Sequence, residues 1–345
     1  MSNTKRFSIT IDYVAQKAGV SKTTISRYIN GHYEYMSSET RERIKKVIEE
    51  LDYRPNKLAR SLKSNKSHLI GVLVADISNP FSSILVRGIG DVCKQHDYNI
   101  IIANTDNDPK KEKEYILSMI DQRVEGLIIN TTGEIDEFLL EVGNNGMPIV
   151  LADRSIKTFK FDTVVVNNYE VTSELIKHLI DNGFMKIGFF TEEIKNISTR
   201  LERKRAFLDT CLKYLNRDVN DMIIVIDTER ETSVIEGLRQ LLEKSEKEKV
   251  AAFGVNGVVL LSLLQGISKL NLKIPQDIGV CGYDDWGWAA LIPPGITTIS
   301  QPSYQVGVES AKRLISRIKQ KRNSKPKLIT LSANLVIRGS TVLTI

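Results

Sequence analysis

The sequence predicts an all-α helix-turn-helix headpiece followed by an α/β core of two doubly wound parallel-sheet subdomains. Three observations predict this fold class. The excess positive charge lies in the first fifth of the chain, and that fifth has the apolar spacing of short helices. The remainder alternates short apolar runs with helix-length amphipathic segments. With 345 residues, the chain is long enough for two or three domains.

Charge divides the chain into two parts. Residues 1–67 contain 14 Lys and Arg against 7 Asp and Glu, a net charge of +7, whereas the rest contains 34 against 35. A basic head on a near-neutral body is typical of a nucleic-acid-binding segment joined to a separate domain, although a solvated basic face has the same composition.

Other features of the sequence indicate the cellular compartment. The N-terminus has no apolar signal region, and the most apolar stretch, 250–267, is interrupted by polar residues and glycines. The three cysteines (Cys93, Cys211 and Cys281) are far apart and lack CxxC spacing. We therefore expect a cytoplasmic protein with no membrane span, disulfide framework or zinc site.

Residues 9–30 predict two short helices joined by a tight turn. The first helix ends at Gly19, and the second follows Ser21, a good N-cap residue, and spans Lys22–Asn30. A helix-turn-helix has this organisation. The inward-facing residues are expected to be Ile11, Val14, Ala15, Ala18, Ile25 and Ile29.

The second helix presents Lys22, Thr23, Ser26 and Arg27 outward from its N-terminal half. These side-chain types contact base edges and phosphates, and recognition helices contact bases with their N-terminal residues. The helix offers them no acidic partners, which disfavours the alternative of a merely solvated face.

Two further segments complete the first fifth of the chain. A third helix is expected after Ser37 or Ser38, with Glu39 in its first turn and with a buried stripe formed by Ile44, Val47, Ile48 and Leu51. Pro55 then suits the start of a two-turn helix at Asn56–Lys63. That helix is too short and basic to be stable alone, so we expect it to fold against a partner.

The body predicts buried parallel strands because its short apolar runs are rich in β-branched residues. A second set of runs begins after Asp162, so two similar halves follow each other. The runs are 70–75, 100–103, 124–129 and 148–152 in the first half, and 187–190, 222–226, 250–253 and 278–281 in the second. Ligands of such sheets bind outside the carboxyl ends of the strands, here in the cleft between the halves.

Polar and aromatic residues follow several of these runs, as a pocket for a polar small molecule requires. They include residues 76–81, 153–154, 199–203, 255–256 and 282–286. Two alternatives stay open on spacing alone. Asn79-Pro80 is equally compatible with a turn and helix start, and Arg200 and Arg203 are equally compatible with a solvated helix face.

The first fifth of the chain resembles the headpiece and hinge helix of the LacI/GalR family of bacterial transcription regulators. The resemblance rests on residues 10–30, on Tyr53-Arg-Pro-Asn56 and on Ala59-Arg-Ser-Leu62. It implies major-groove contacts by Lys22 and Thr23 and a minor-groove wedge at Leu62. The full implied set of DNA-binding residues is Ser21, Lys22, Thr23, Thr24, Ser26, Arg27, Asn30, Asn56, Ala59, Arg60, Leu62 and Lys63. The loop 31–36 is a residue longer than in some members.

The body resembles the effector-binding core of the same family, which is itself similar to type I periplasmic binding proteins. Residues 79–81, 199–207, 274–285 and 293–302 carry this resemblance. It implies effector contacts by Phe81, Asp153, Thr199, Arg203, Asn256 and Asp284. Arg154, which follows Asp153 after the same predicted strand, is a further candidate for effector binding. Gly257 stands where members often have Asp, so no ligand role is expected there. The chain is also similar to the repressors of 2-keto-3-deoxygluconate use in pectin breakdown.

The implied function is that of a repressor whose affinity for a pseudo-palindromic operator is controlled by a sugar or sugar acid. The resemblance also implies a homodimer. We expect no cofactor, metal or catalytic residue because the four histidines are isolated and no nucleotide-binding motif occurs. Adjacent Asp284 and Asp285 should point apart, which disfavours a general acid–base pair.

The expected domain boundaries follow from this resemblance. They are 1–54 for the headpiece, 55–67 for the hinge and linker, and 68–345 for the core. Within the core, the first subdomain is expected to comprise about 68–162 and 299–328, and the second about 163–298 and 329–345.

Overall fold

The computed structural model describes residues 9–53, 66–243, 248–320 and 325–342. The chain divides into two compact units, with the division between Ser67 and His68. The predicted boundary between headpiece and hinge, at residues 54 and 55, lies outside the described residues.

Three helices form the described part of the headpiece: α1 (Ile11–Ala18), α2 (Lys22–Ile29) and α3 (Ser38–Glu50). Gly19 ends α1 with a left-handed φ of 62°, a conformation that glycine adopts without steric cost. The hydroxyls of Ser21 and Ser37 then cap α2 and α3 by accepting hydrogen bonds from the backbone N–H groups of Thr24 and Thr40.

The headpiece has its own small core, formed by the inward faces that the sequence predicts. Its buried residues are Val14, Ala15, Ala18, Ile25, Ile44 and Tyr53. The other expected inward residues, Ile11, Ile29, Val47, Ile48 and Leu51, pack against this cluster and are only partly buried. A unit this small cannot enclose every apolar side chain.

The described part of the core contains the two predicted sheets, each with six strands where the sequence predicts four. The first has the order β11-β5-β4-β3-β1-β2 and the second the order β12-β10-β9-β8-β6-β7. The strands are β1 Leu69–Val74, β2 Asn99–Asn104, β3 Leu127–Ile129, β4 Ile149–Ala152, β5 Asp162–Val166, β6 Lys186–Thr191, β7 Ile223–Val225, β8 Val250–Gly254, β9 Gly279–Tyr283, β10 Thr297–Ser300, β11 Leu328–Leu331 and β12 Asn334–Val336.

Neighbouring strands are parallel except for the pair β10 and β12, which is antiparallel. The predicted doubly wound parallel sheets are therefore confirmed, with β12 as an antiparallel strand at the edge of the second sheet. Strand β12 follows β11 of the other sheet after only two residues. Because β11 leaves its sheet at the carboxyl end, the chain enters the second sheet from that edge and runs backward along β10.

Helices cover the sheets. They are α4 Pro80–Gln95, α5 Pro109–Asp121, α6 Asp136–Asn144, α7 Asn168–Asp181, α8 Ser198–Leu215, α9 Glu231–Glu243, α10 Gly257–Lys269 and α11 Ser303–Lys319. Helices α4 and α11 cross closely, because a Cβ added at Gly88 would lie 2.2 Å from the carbonyl oxygen of Tyr304. A Cβ at Gly307 would lie 2.1 Å from the carbonyl oxygen of Leu85.

The chain crosses between the sheets within about five residues of the approximate subdomain boundaries expected from the sequence. The expected boundaries at 162, 298 and 328 fall within β5, β10 and β11, whereas the chain changes sheets after these strands end. A strand stays in its sheet through its last hydrogen-bonded residue, so the crossings lie at 167, 301–302 and 332–333. Within the described ranges, no helix is long and apolar enough to cross a membrane.

Candidate functional site

A cavity of ≈ 480 Å³ lies in the cleft between the two sheets of the core. Residues that follow strands of both sheets line it, as expected for parallel α/β sheets. All seven predicted effector residues are among the lining residues: Phe81, Asp153, Arg154, Thr199, Arg203, Asn256 and Asp284. That they bind a ligand stays a prediction.

Arg203 is fixed in the cavity wall by bonds to three elements. Its guanidinium donates to Asn168 Oδ1 at 2.8 Å, to the Val255 carbonyl at 2.7 Å and to Gln301 Oε1 at 3.1 Å. It also stacks on the ring of Tyr283 with 3.5 Å to the centroid. With 4% exposure for Arg203 and 8% for Arg200, a solvated helix face is excluded.

Asp284 is held at the end of β9 with a left-handed φ of 74°. Its carboxylate accepts from Gln301 Nε2 at 2.6 Å and from the Gly257 N–H at 3.0 Å. Burial raises the pKa of Asp284, and the charge of Arg203 opposes that shift. Asp285 turns away and accepts from Arg338, so the two carboxylates point apart as expected.

Gly257, the departure from the family pattern, has a structural counterpart in Trp286. A Cβ added at Gly257 would lie 2.5 Å from the Trp286 ring. The ring therefore occupies the space that a side chain at 257 would need. This contact explains why the chain has glycine at position 257. It also shows that the Trp286 ring packs against the first residue of α10.

Asp153 and Arg154 follow β4 and lie deep in the cavity wall. Arg154 donates to Asn107 Oδ1 at 2.8 Å and to the Thr131 carbonyl at 3.1 Å, and Asp153 accepts from Asn130 at 3.2 Å. Among the described residues, Arg154 Nε and Asp153 Oδ1 are buried without a hydrogen-bond partner. Burial lowers the pKa of Arg154 to about 10 against the opposing charge of Asp153, so it is still charged at neutral pH.

Glu192, which directly follows β6, connects two predicted site residues. Its Oε2 accepts from Arg200 at 2.6 Å and from Asn256 Nδ2 at 2.7 Å. Arg200 is therefore neutralised, whereas the described residues provide no such ion pair for Arg154 or Arg203.

The sequence reasoning missed three lining residues with clear roles: Glu192, Asn130 and Gln301. Each comes immediately after a strand. Asp153 is a candidate because it follows a predicted strand. The same criterion identifies Glu192 and Asn130, because the strands before them are also predicted. Gln301 follows β10, which was not predicted. No group of three or more His, Cys, Asp or Glu residues in the described ranges could hold a metal ion.

The outer face of α2 carries the predicted DNA-binding side chains of the headpiece. Ser21, Lys22, Thr23, Arg27 and Asn30 are exposed, whereas Thr24 and Ser26 are half-buried. The remaining predicted residues, Asn56, Ala59, Arg60, Leu62 and Lys63, lie outside the described residues.

Lys22 differs from expectation in one respect. Its ammonium donates to Asp12 Oδ2 at 2.8 Å, so an acidic partner does exist, on α1 rather than on α2. The sequence argument that these polar residues lack acidic partners is therefore wrong for Lys22, because the turn at Gly19 brings α1 beside α2.

Family models match both units of the chain. Residues 10–56 match the model of bacterial regulatory proteins of the lacI family, and residues 176–341 match a periplasmic binding protein-like domain.

Curated relatives match over nearly the full length. The chain is 40% identical to the HTH-type transcriptional regulator KdgR of Bacillus subtilis, covering 96% of this chain and 97% of that one. It is 34% identical to the HTH-type transcriptional regulator PtxS of Pseudomonas aeruginosa, with 97% and 96% covered.

Among solved structures, the lac repressor dimer bound to operator and the anti-inducer ONPF is similar at a TM-score of 0.81 and 26% identity. The match covers 97% of this chain and 99% of that chain.

Proposed function

Because the chain belongs to the lacI family of bacterial regulatory proteins, it is a DNA-binding transcriptional regulator rather than an enzyme, and we propose that a sugar acid controls its operator affinity. The proposed effector binds in the cleft between the two core subdomains. The observation that carries this proposal is the buried Arg154, which has no ion-pair partner among the described residues.

The hydrogen bonding of Arg154 supports a ligand carboxylate, although the cavity wall as a whole contains six carboxylate side chains and three arginines. A buried N–H without an acceptor is costly, and a ligand carboxylate supplies the missing acceptor for Arg154 Nε through a short charge-assisted hydrogen bond. The unpartnered Asp153 Oδ1 beside it accepts from a sugar hydroxyl. A ligand with one carboxylate and several hydroxyls satisfies both groups.

The position of the arginines supports a link between ligand binding and domain geometry. Arg154 follows β4 of the first sheet, whereas Arg200 lies on α8, which packs with the second. The positive charge of Arg200 acts on Arg154 from across the cleft. A ligand that contacts Arg154 on one wall and the Arg200–Glu192 pair on the other bridges the two walls, so it favours a closed cleft over an open one.

On the DNA side, α2 of each protomer is proposed to lie in the major groove with Lys22 and Thr23 on base edges. Residues 56–63 are proposed to fold in the minor groove, with Leu62 inserted at a base step. A dimer on a pseudo-palindromic operator, as in the lac repressor dimer bound to operator, fits both assignments. Repression by such a dimer is released or strengthened when the effector shifts the cleft.

The proposal is tested by thermal-shift measurements with matched ligand pairs. Galacturonate and galactose differ only in the carboxylate, and 2-keto-3-deoxygluconate is included because the chain resembles the repressors of its use. We expect stabilisation by one or more sugar acids and none by the neutral partner. Stabilisation by neutral sugars alone contradicts the anionic effector.

A further inference from the structure

Asp12 forms an ion pair with the first residue of the recognition helix. The Lys22 ammonium donates to Asp12 Oδ2 at 2.8 Å, and the two side chains are 59% and 65% exposed. Asp12 is the sole acidic residue between positions 10 and 30, a stretch that also contains Lys17, Lys22 and Arg27. A carboxylate on a face that approaches phosphates requires a physical explanation.

The local fold explains why the pair forms. Lys22 is the first residue of α2, where the positive end of the helix dipole disfavours a cation, and Asp12 lies in the first turn of α1, where an anion is favoured. The buried Tyr53 lies within electrostatic range of both: burial raises its pKa, Asp12 adds to the rise and Lys22 opposes it. The pair therefore lies beside the last described residue before the hinge.

We propose that Asp12 is a positioning residue that restrains Lys22 and thereby lowers the affinity of the headpiece for DNA of arbitrary sequence. This inference rests on the proposed placement of Lys22 at the DNA surface. Asp12 acts as a counterion built into the chain, and a phosphate must displace it to gain the ammonium.

Counterion release determines how much a lysine contributes to binding of a polyanion such as DNA. A lysine that contacts a phosphate releases a condensed counterion, which gives non-specific binding its steep salt dependence. When Lys22 leaves Asp12 for a phosphate, the freed carboxylate takes up a cation or repels the DNA. The net ion release is then smaller, so Lys22 contributes less to non-specific affinity than an unpaired lysine. Contacts to base edges, which do not depend on ion release, are reduced less.

The test measures binding of the full-length protein to a duplex of random sequence by fluorescence anisotropy over a range of KCl concentrations. Asp12→Asn is compared with wild type, Lys22→Gln and the double variant. Glu42→Gln is the matched control, because Glu42 pairs with Lys45 at 3.5 Å on α3 and the charge change is identical. Far-UV circular dichroism checks the fold of each variant.

We expect Asp12→Asn to steepen the slope of log K against log [KCl] by about 0.9 per headpiece and to tighten binding about two- to fivefold at low salt. Glu42→Gln leaves both quantities unchanged, and Asp12→Asn has no effect in the Lys22→Gln background. Equal effects of Asp12→Asn and Glu42→Gln, or an undiminished effect without Lys22, overturn the inference. If Lys22→Gln alone changes nothing, the proposed DNA role of Lys22 fails as well.

Discussion

Arg154 is the residue on which effector specificity depends in this account. It is 9% exposed, its Nε has no hydrogen-bond partner among the described residues, and its remaining bonds are to neutral oxygens of Asn107 and Thr131. Arg200, in contrast, is neutralised by Glu192. Arg154 and Arg203 thus both lack a direct ion pair among the described residues, and of these two only Arg154 has a buried N–H without a hydrogen-bond partner.

Substituting Arg154→Gln is therefore expected to weaken binding of a sugar acid about tenfold to a hundredfold, because a charge-assisted hydrogen bond contributes about 1.5–3 kcal/mol. Isothermal titration calorimetry with the acid identified by thermal shift measures this loss. Arg205→Gln is the control, since Arg205 is exposed on the same subdomain as Arg203, pairs with Asp209 and does not line the cavity. Unchanged affinity in Arg154→Gln would exclude the carboxylate assignment.

Individual site residues were predictable where a strand was predictable. Asp153, Asn256 and Asp284 were found because each follows a buried apolar run. A position after a strand does not predict the hydrogen-bond partners of a residue. Glu192 contacts Arg200 and Asn256 only because the folded chain brings them together. The Asp12–Lys22 pair was missed for the same reason, because its partners lie on different helices.

At the scale of elements, Asp162 connects β5 to α11. This carboxylate is fully buried and accepts from Arg313 at 2.8 Å, from Arg317 at 2.7 Å and from the Lys327 N–H at 2.6 Å. Burial alone would raise its pKa, but the bonds from Arg317, Lys327 and Arg313 outweigh burial and lower it below its ordinary value of 3.8. These hydrogen bonds hold α11 and the start of β11 against β5 of the first sheet.

Asp162→Asn is expected to destabilise the protein by about 3 kcal/mol at neutral pH, because it removes the buried carboxylate that accepts from Arg313 and Arg317. A carboxyl group whose pKa is lowered by folding stabilises the folded protein at pH values above its ordinary pKa. This stabilisation is lost as the pH falls through the pKa of the folded state. Urea unfolding midpoints should therefore differ most near neutral pH and converge below pH 3.8. Asp181→Asn, which removes an exposed pair with Lys177, serves as control. A constant difference at all pH values would contradict this account.

Helix α4 contains two glycines with opposite requirements. A Cβ at Gly88 would meet the Tyr304 carbonyl oxygen at 2.2 Å, whereas a Cβ at Gly90 would meet only Ile100 Cδ1 at 3.7 Å. Of these two glycines, therefore, only Gly88 is required for the close crossing of α4 and α11.

Gly88→Ala should lower stability by about 1–3 kcal/mol through overpacking, whereas Gly90→Ala should raise it by about 0.5–1 kcal/mol through helix propensity. Urea unfolding of the two variants beside wild type makes the comparison. Equal changes in the free energy of unfolding would show that helix propensity, and not the close helix crossing, determines the stability of both variants.

The sequence predicted long or strongly apolar elements better than short ones. Eight strands coincide with predicted runs, whereas β5, β10, β11 and β12 were not predicted. These four contain Thr or Asn or only three or four residues, and two of them, β11 and β12, pair with strands that do not precede them directly in the chain. Their place is determined by the crossings between subdomains, which no local pattern specifies.

At the scale of the whole molecule, the chain joins a basic headpiece to a cleft whose two walls belong to different sheets. Three crossings connect those walls, after β5, β10 and β11. A ligand that contacts residues from both walls changes the free energy of closing, and linkage requires that DNA and effector alter each other's affinity equally. The near-neutral charge of the body conceals the arginines at this cleft.

The most direct test of effector control measures operator affinity with and without the sugar acid. The full-length protein selects its duplex from a random pool, and fluorescence anisotropy then gives Kd at fixed salt. Saturating sugar acid is expected to change Kd by at least about fivefold, with no change from the matched neutral sugar. A Kd that is the same with every sugar acid tested would contradict the central claim.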